Sequence, residues 1–198
     1  MSRIGPDVSH HQRTIDWEAV AREAAWATVK ATEGVDFTDP RYTENVAGAR
    51  KAGLPVYAYH YARADEKGAG PKEQAGHYLD VAGNLTTGLA ILDWEGPNLR
   101  LPPPAQAEWI LDWFGDAATA GALLYCSLST AEALHGLVTG IDLWVAYWTG
   151  GGTARKPPED VPDRVAALRP RWWQYTSRGA LGGIDGYTDL STNLGGTP

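Results

Sequence analysis

The sequence predicts an α/β chain closed into a β/α barrel with fewer helices than strands, and three observations predict it. Short apolar runs alternate with helical segments from the first residues onward, the pattern that builds parallel sheets. Eight strand candidates can be placed, and the later connections are hairpin-like, leaving fewer helices than strands. The first and last strands both carry acids, which favours a closed barrel over an open doubly wound sheet, because chemistry gathers at the C-terminal rim of barrel strands. The 198 residues suit one domain spanning 1–198, since no sustained Ser/Gly linker or charge run divides them.

In chain order, residues 3–9 form the first strand and deliver Asp7 near its end. Polar His10-His11-Gln12 follows, and a short helix starts at Asp16-Trp17. Residues 25–32 make the second strand, closing with Glu33-Gly34. Asp39 supplies an N-cap with Pro40 at the first helical position, and Gly53 stops that helix. Residues 54–61 are the third strand, 71–81 a helix and 89–95 the central strand. Leu89-Ala-Ile-Leu92 is an uninterrupted apolar run of the kind buried on both faces of a parallel sheet, and Gly96-Pro97 cannot prolong it. Residues 104–120 are helical, with Trp109, Ile110, Trp113 and Phe114 spaced along a core face, and Gly121 ends the helix. Two further strands cover 122–127 and 143–148, separated by a helix that Ser129 caps. A loop over 150–170 leads to a strand at 172–176 and a closing strand near 187–190.

Composition narrows the function. A net charge of -7 argues against nucleic-acid binding, and no stretch is long enough to span a bilayer. The single cysteine, Cys126, lies inside an apolar strand and reads as buried, without a disulfide or a nucleophilic role. The first residues lack the apolar region of a signal peptide. Nine tryptophans and nine tyrosines against two phenylalanines suit stacking on sugars, although most such rings in any fold are core.

Chemistry concentrates at the end of the central strand. Side chains alternate along a strand, so Asp93 and Glu95 share a face about 6.6 Å apart at the backbone, while Trp94 points the other way. Glycoside cleavage needs one protonated acid for the leaving oxygen and a second group facing the positive charge at the anomeric carbon. Glu95, surrounded by acids and apolar walls, is expected to be held protonated as the acid, and the deeper Asp93 to stay ionised. Asp7 and Asp189 fall at the same rim. Asp189 is preferred over Asp185, because Asp185-Gly186 is a turn dipeptide. Tyr59, Tyr61, Tyr125 and Trp148 lie near strand ends and can floor a saccharide groove. Gln174 is expected to make a rim hydrogen bond, and Lys30 to pair with Asp7 on the neighbouring strand. Asp7, His10, His11 and His60 look superficially like metal ligands, but their spacing suits no metal and no cofactor is expected; His60 is expected to make hydrogen bonds beneath the site.

These residues resemble glycoside hydrolase family 25, the Chalaropsis-type lysozymes or N-acetylmuramidases found among phage endolysins and bacterial wall enzymes. The likeness rests on Gly5-Pro-Asp-Val-Ser-His-His-Gln12, Val29-Lys-Ala-Thr-Glu-Gly34, Tyr59-His-Tyr-Ala-Arg63, Leu92-Asp-Trp-Glu95, Trp144-Val-Ala-Tyr-Trp148, Trp173-Gln-Tyr-Thr176, Gly183-Ile-Asp-Gly186 and Thr188-Asp-Leu190. The resemblance implies an irregular, flattened TIM-like barrel that hydrolyses the β-1,4 bond between N-acetylmuramic acid and N-acetylglucosamine. By motif, Glu95 matches the proton donor and Asp7, Asp93 and Asp189 the other active-site acids. It also implies that the substrate's own N-acetyl group serves as nucleophile, with Asp93 stabilising the intermediate. Trp94 and Ser191 depart from the family's more frequent smaller apolar residue and asparagine. The expected partner is bacterial peptidoglycan, attacked by a monomer without a separate wall-binding module. The site of action is the bacterial cell wall, reached from the host cytoplasm in a phage enzyme or by another secretion route. On the residues alone, a non-catalytic glycan-binding barrel and a chitinase-like hydrolase stay open as alternatives.

Overall fold

The computed structural model describes residues 4–64, 70–83, 88–118, 120–150 and 153–195. Positions 3, 119 and 151–152, which fall in an expected strand, helix and loop, lie outside these. The described chain forms nine strands: β1 (Ile4–Val8), β2 (Ala27–Glu33), β3 (Phe37–Thr38), β4 (Val56–Tyr61), β5 (Leu89–Asp93), β6 (Gly121–Ser127), β7 (Asp142–Ala146), β8 (Trp172–Gly179) and β9 (Thr188–Asn193). Its helices are α1 (Trp17–Ala21), α2 (Tyr42–Lys51), α3 (Pro71–Ala82), α4 (Pro103–Ala117), α5 (Leu128–Ala133) and α6 (Asp163–Ala167).

Pairing runs β1-β2-β4-β5-β6-β7-β8-β9 and returns to β1, so the eight long strands close into a barrel. Neighbours are parallel from β1 round to β8, whereas β9 is antiparallel to both β8 and β1. The two-residue β3 folds back on β2 outside the barrel. Helices of five or six residues at α1, α5 and α6 stand against fifteen residues at α4, so the outer layer is uneven. This is the irregular β/α barrel expected, with fewer helices than strands.

Alternation along the strands divides the apolar side chains into two layers. Val29, Ala58, Leu92, Leu124 and Val145 point outward and pack on Val20, Val46, Ile110 and Trp113 of the helices. Trp26, Tyr57, Leu89, Ile91, Leu123, Trp144 and Trp172 fill the interior. Trp26 stacks on Trp172 at 5.2 Å between ring centres, and Tyr57 and Trp144 meet the same indole edge-on at 5.1 and 5.4 Å. Gly5 has to be glycine, because a Cβ there would collide with the Trp26 indole. A solid aromatic plug therefore closes the lower barrel, and the acids gather at the rim above it.

Several boundaries differ from expectation for local reasons. Helix α2 starts at Tyr42 with Arg41 at the cap position; Asp39 instead braces the preceding turn, accepting from Arg41 N at 2.9 Å and His10 N at 3.0 Å. Helix α4 stops at Ala117, and Gly121 opens β6 in register with Leu89. Helix α5 follows β6 without a loop, so the cap is Ser127, whose Oγ accepts from Thr130 N at 3.2 Å, and not Ser129. The expected loop after β7 contains α6, entered through Pro162.

Candidate active site

Strand β5 ends at Asp93, paired with Tyr61 of β4 and Tyr125 of β6. The backbone stays extended through Glu95 (φ -152°, ψ -170°), so alternation continues and both carboxyls reach the interior. Trp94 points outward, fully buried, with its Nε1 donating to Gln106 Oε1 at 2.8 Å and its ring 5.1 Å from Trp109. This anchor fixes the segment from behind. Gly96 then turns the chain at φ +62°, and a Cβ there would meet the Tyr61 hydroxyl at 2.6 Å. Asp7 pairs across the barrel seam with Asp189. Asp189 lies at the start of β9, and it reaches the rim because β9 runs opposite to its neighbours. Asp185 sits in the exposed turn ahead of β9, next to Gly186 at φ +83°.

Asp7, Asp93, Glu95 and Asp189 line one cavity of about 240 Å³, together with Lys30, Tyr59, Tyr61, Tyr125, Trp144 and His11. A second cavity of about 340 Å³ is lined by Glu95, Tyr125, Ser127, Ser129, Tyr147, Trp148 and Arg164, among others. Glu95 and Tyr125 belong to both. Trp148, half-exposed at 52 %, thus stands in the second cavity and not in the first. Gln174 is 1 % exposed and lines neither. Its Nε2 donates to Asp7 Oδ2 at 3.1 Å, and its Oε1 accepts from Tyr125 OH and Trp148 Nε1, each at 3.0 Å.

The expected Lys30–Asp7 pair does not form. Lys30 Nζ is 2.6 Å from Glu33 Oε2 and 4.8 Å from the centre of the Tyr61 ring, and Glu33 in turn binds Arg63 at 3.1 Å. A bulge between Lys30 and Thr32 shifts the register of β2 against β4 and turns Glu33 to the interior face. His60 lies behind the site, on the outer face of the barrel. It bonds Thr32 at 2.8 Å and Gln74 at 3.0 Å, stacks on Trp113, and is held down to about 4 by burial. His10 Nδ1 lies 2.8 Å from the Asp39 carboxylate. Among the described residues no group of three His, Cys, Asp or Glu side chains could hold a metal ion.

The electrostatics favour protons over charge. Burial, then the charge of Asp189, pushes Asp7 well above the carboxylate range, opposed by the Gln174 amide. Asp189 rises to about 6 through burial, while a hydrogen bond from Asp7 holds it down. Burial thus works against charge on both seam acids. Burial also raises Glu95, against the pull of Lys30. Asp93 is raised as well, by burial and then by Glu95, and its Oδ1 has no hydrogen-bond partner among the described residues. At Asp93 desolvation thus outweighs Lys30 and works against the charged form that depth in the strand was expected to keep.

The sequence profile described as "Glycosyl hydrolases family 25" matches residues 6–184. The chain belongs to glycosyl hydrolases family 25. Lysozyme M1 of Streptomyces globisporus is 29% identical over 202 residues, covering 93% of this chain and 65% of that protein. The autolytic lysozyme of Clostridium acetobutylicum is 34% identical over 195 residues, covering 94% and 54%. The chain thus spans about two thirds or less of the length of these curated relatives. A bacterial lysozyme from Streptomyces coelicolor superposes with a TM-score of 0.79 at 27% identity, covering 100% of this chain and 94% of that one.

Within this family 25 barrel, sequence reasoning missed three groups of site residues. Trp144 floors the cavity, with its Nε1 donating to Ser191 Oγ at 2.9 Å, which gives the departure at Ser191 a job beneath the site. Strand parity could have found it, since Trp144 shares an interior face with Trp148. Ser9, His11 and Gln12 follow β1, and the Ser9-x-x-Gln12 capping box that orders them was legible as a motif. Arg164 comes from a helix the sequence hid inside a loop, and nothing signalled it.

Proposed function

We propose that this chain is a peptidoglycan hydrolase that cleaves the β-1,4 bond between N-acetylmuramic acid and N-acetylglucosamine. One observation carries the reading: Glu95 lies on the wall shared by two adjoining cavities, so a glycan occupying both passes its carboxyl. Glu95 is the general acid that protonates the leaving oxygen. The bond between anomeric carbon and oxygen breaks as the substrate's N-acetyl oxygen closes on that carbon. Asp93 faces the N-acetyl group; its unpartnered Oδ1 accepts the amide N–H, which favours the carboxylate just as positive charge develops. Water then attacks the anomeric carbon as its bond to the N-acetyl oxygen breaks, and Glu95, now ionised, takes the proton that the water gives up, while the seam pair Asp7 and Asp189 keeps further charge off the site.

Lys30, Tyr59, Tyr61 and Tyr125 bind sugar in the first cavity, and Trp148 provides a stacking face in the second. The protein acts as a monomer and as one catalytic domain, a reading supported by a barrel whose first and last strands pair with each other. Its place of action is the bacterial cell wall. No helix among the described residues is long and apolar enough to cross a membrane. Mass spectrometry of digested peptidoglycan tests the assignment. Muramic acid is expected at the new reducing ends; glucosamine there, free stem peptides, or no cleavage of several walls would overturn it.

A further inference from the structure

Gln174 lines neither of the two cavities, yet each of its three side-chain partners lines one. Asp7 lines the first, Trp148 the second and Tyr125 both. We infer that Gln174 is a positioning residue that joins the sugar-stacking plate Trp148 to the acid pair Asp7–Asp189, holding both in the arrangement that catalysis needs. The inference rests on the muramidase reading above.

The chemistry demands a carboxamide. At this point one N–H must be donated to Asp7 while one oxygen accepts two bonds, from a phenol and from an indole. A carboxylate could accept the latter two but has no hydrogen to give Asp7, and a thioether has no donor and only a weakly accepting sulfur. Trp148 is half-exposed, so the bond from its Nε1 to Gln174 fixes the angle of its ring against the cavity. Asp7 faces Asp189 across the seam, and the donor from Gln174 is the contact that favours negative charge on Asp7. The charged and titratable groups facing this junction are Asp7 and Asp189 across the seam, Asp93 and Glu95 from the end of β5, Tyr125 from β6 and Lys30 from β2.

The test uses the nearly isosteric Gln174→Glu and the non-polar Gln174→Met, with kcat and KM measured on soluble glycan strands from pH 5 to 8. At pH 7 Gln174→Glu is expected to lower kcat about ten- to hundredfold, the effect of losing a bond to a charged group. Its activity relative to the unsubstituted protein recovers as pH falls towards 5, because the introduced carboxyl regains a proton to donate. Gln174→Met is expected to lower kcat by a ratio that does not change with pH and to raise KM, since Trp148 is no longer held. A pH-independent ratio for Gln174→Glu, or two folded variants with unchanged kcat and KM, would overturn the inference while leaving the muramidase reading intact. If Gln174→Met does not fold, the pH dependence of Gln174→Glu decides alone. No cleavage by the unsubstituted protein removes both.

Discussion

Replacing Glu95 by glutamine keeps its shape and removes the proton. If it is the general acid, turnover of peptidoglycan should fall at least about a hundredfold with the fold retained; wild-type turnover would take Glu95 out of the mechanism. The seam acids give a prediction in which stability and activity move apart. Asp189 is raised to about 6 from an ordinary 3.8, so the folded chain binds this proton more tightly than the unfolded one. Its carboxyl therefore supports the fold fully below pH about 4 and loses that support as pH rises through 6. Asp189→Asn should depress turnover strongly, while its melting temperature relative to wild type improves from pH 4 to pH 7. Scanning calorimetry at the two values checks the sign, and an advantage that shrinks with pH would be the wrong one. Asp185→Asn, in the exposed turn, should leave turnover alone. An inactive Asp185→Asn beside an active Asp189→Asn would move the acid role four residues back.

At the level of elements, the barrel's interior tolerates little added volume on β1. Gly5→Val should cost at least about 1–3 kcal/mol, because the Trp26 indole occupies the space and is itself wedged against Trp172. Chemical denaturation would show it as a lower midpoint, and an unchanged midpoint would mean that the plug can rearrange. The central strands were legible because an apolar run such as Leu89 to Leu92 meets a flanking turn signal, and parity then put Asp93 and Glu95 on the interior face with Trp94 outside. Parity failed at β2. In an uninterrupted strand Lys30 and Glu33 face opposite ways, and only the bulge between them lets the ammonium find its carboxylate. A bulge is set by how neighbouring strands accommodate one another, so it leaves no local mark in the sequence. The same holds for the second cavity, which Glu95, the β6–α5 junction, the end of β7 and α6 build from separate parts of the chain.

For the molecule as a whole, the net charge of -7 sets how it meets its substrate. Bacterial walls rich in phosphate or carboxylate repel such a protein, and salt screens repulsion beyond about 10 Å at 0.1 M. Raising ionic strength from 0.01 to 0.1 M should accelerate clearing of intact anionic walls while leaving the rate on short neutral glycans nearly unchanged. Equal responses on both substrates would exclude a steering effect. The antiparallel return of β9 bears on when this protein becomes able to work at all. Asp7 and Asp189 come from opposite ends of the described chain and meet only once β9 has slotted between β8 and β1. Contacts of such long sequence separation form late and slowly. Until β9 has been synthesised, the seam stands open and the acid cluster lacks Asp189. Assembly of the complete acid cluster thus waits until the ribosome has finished with the closing strand.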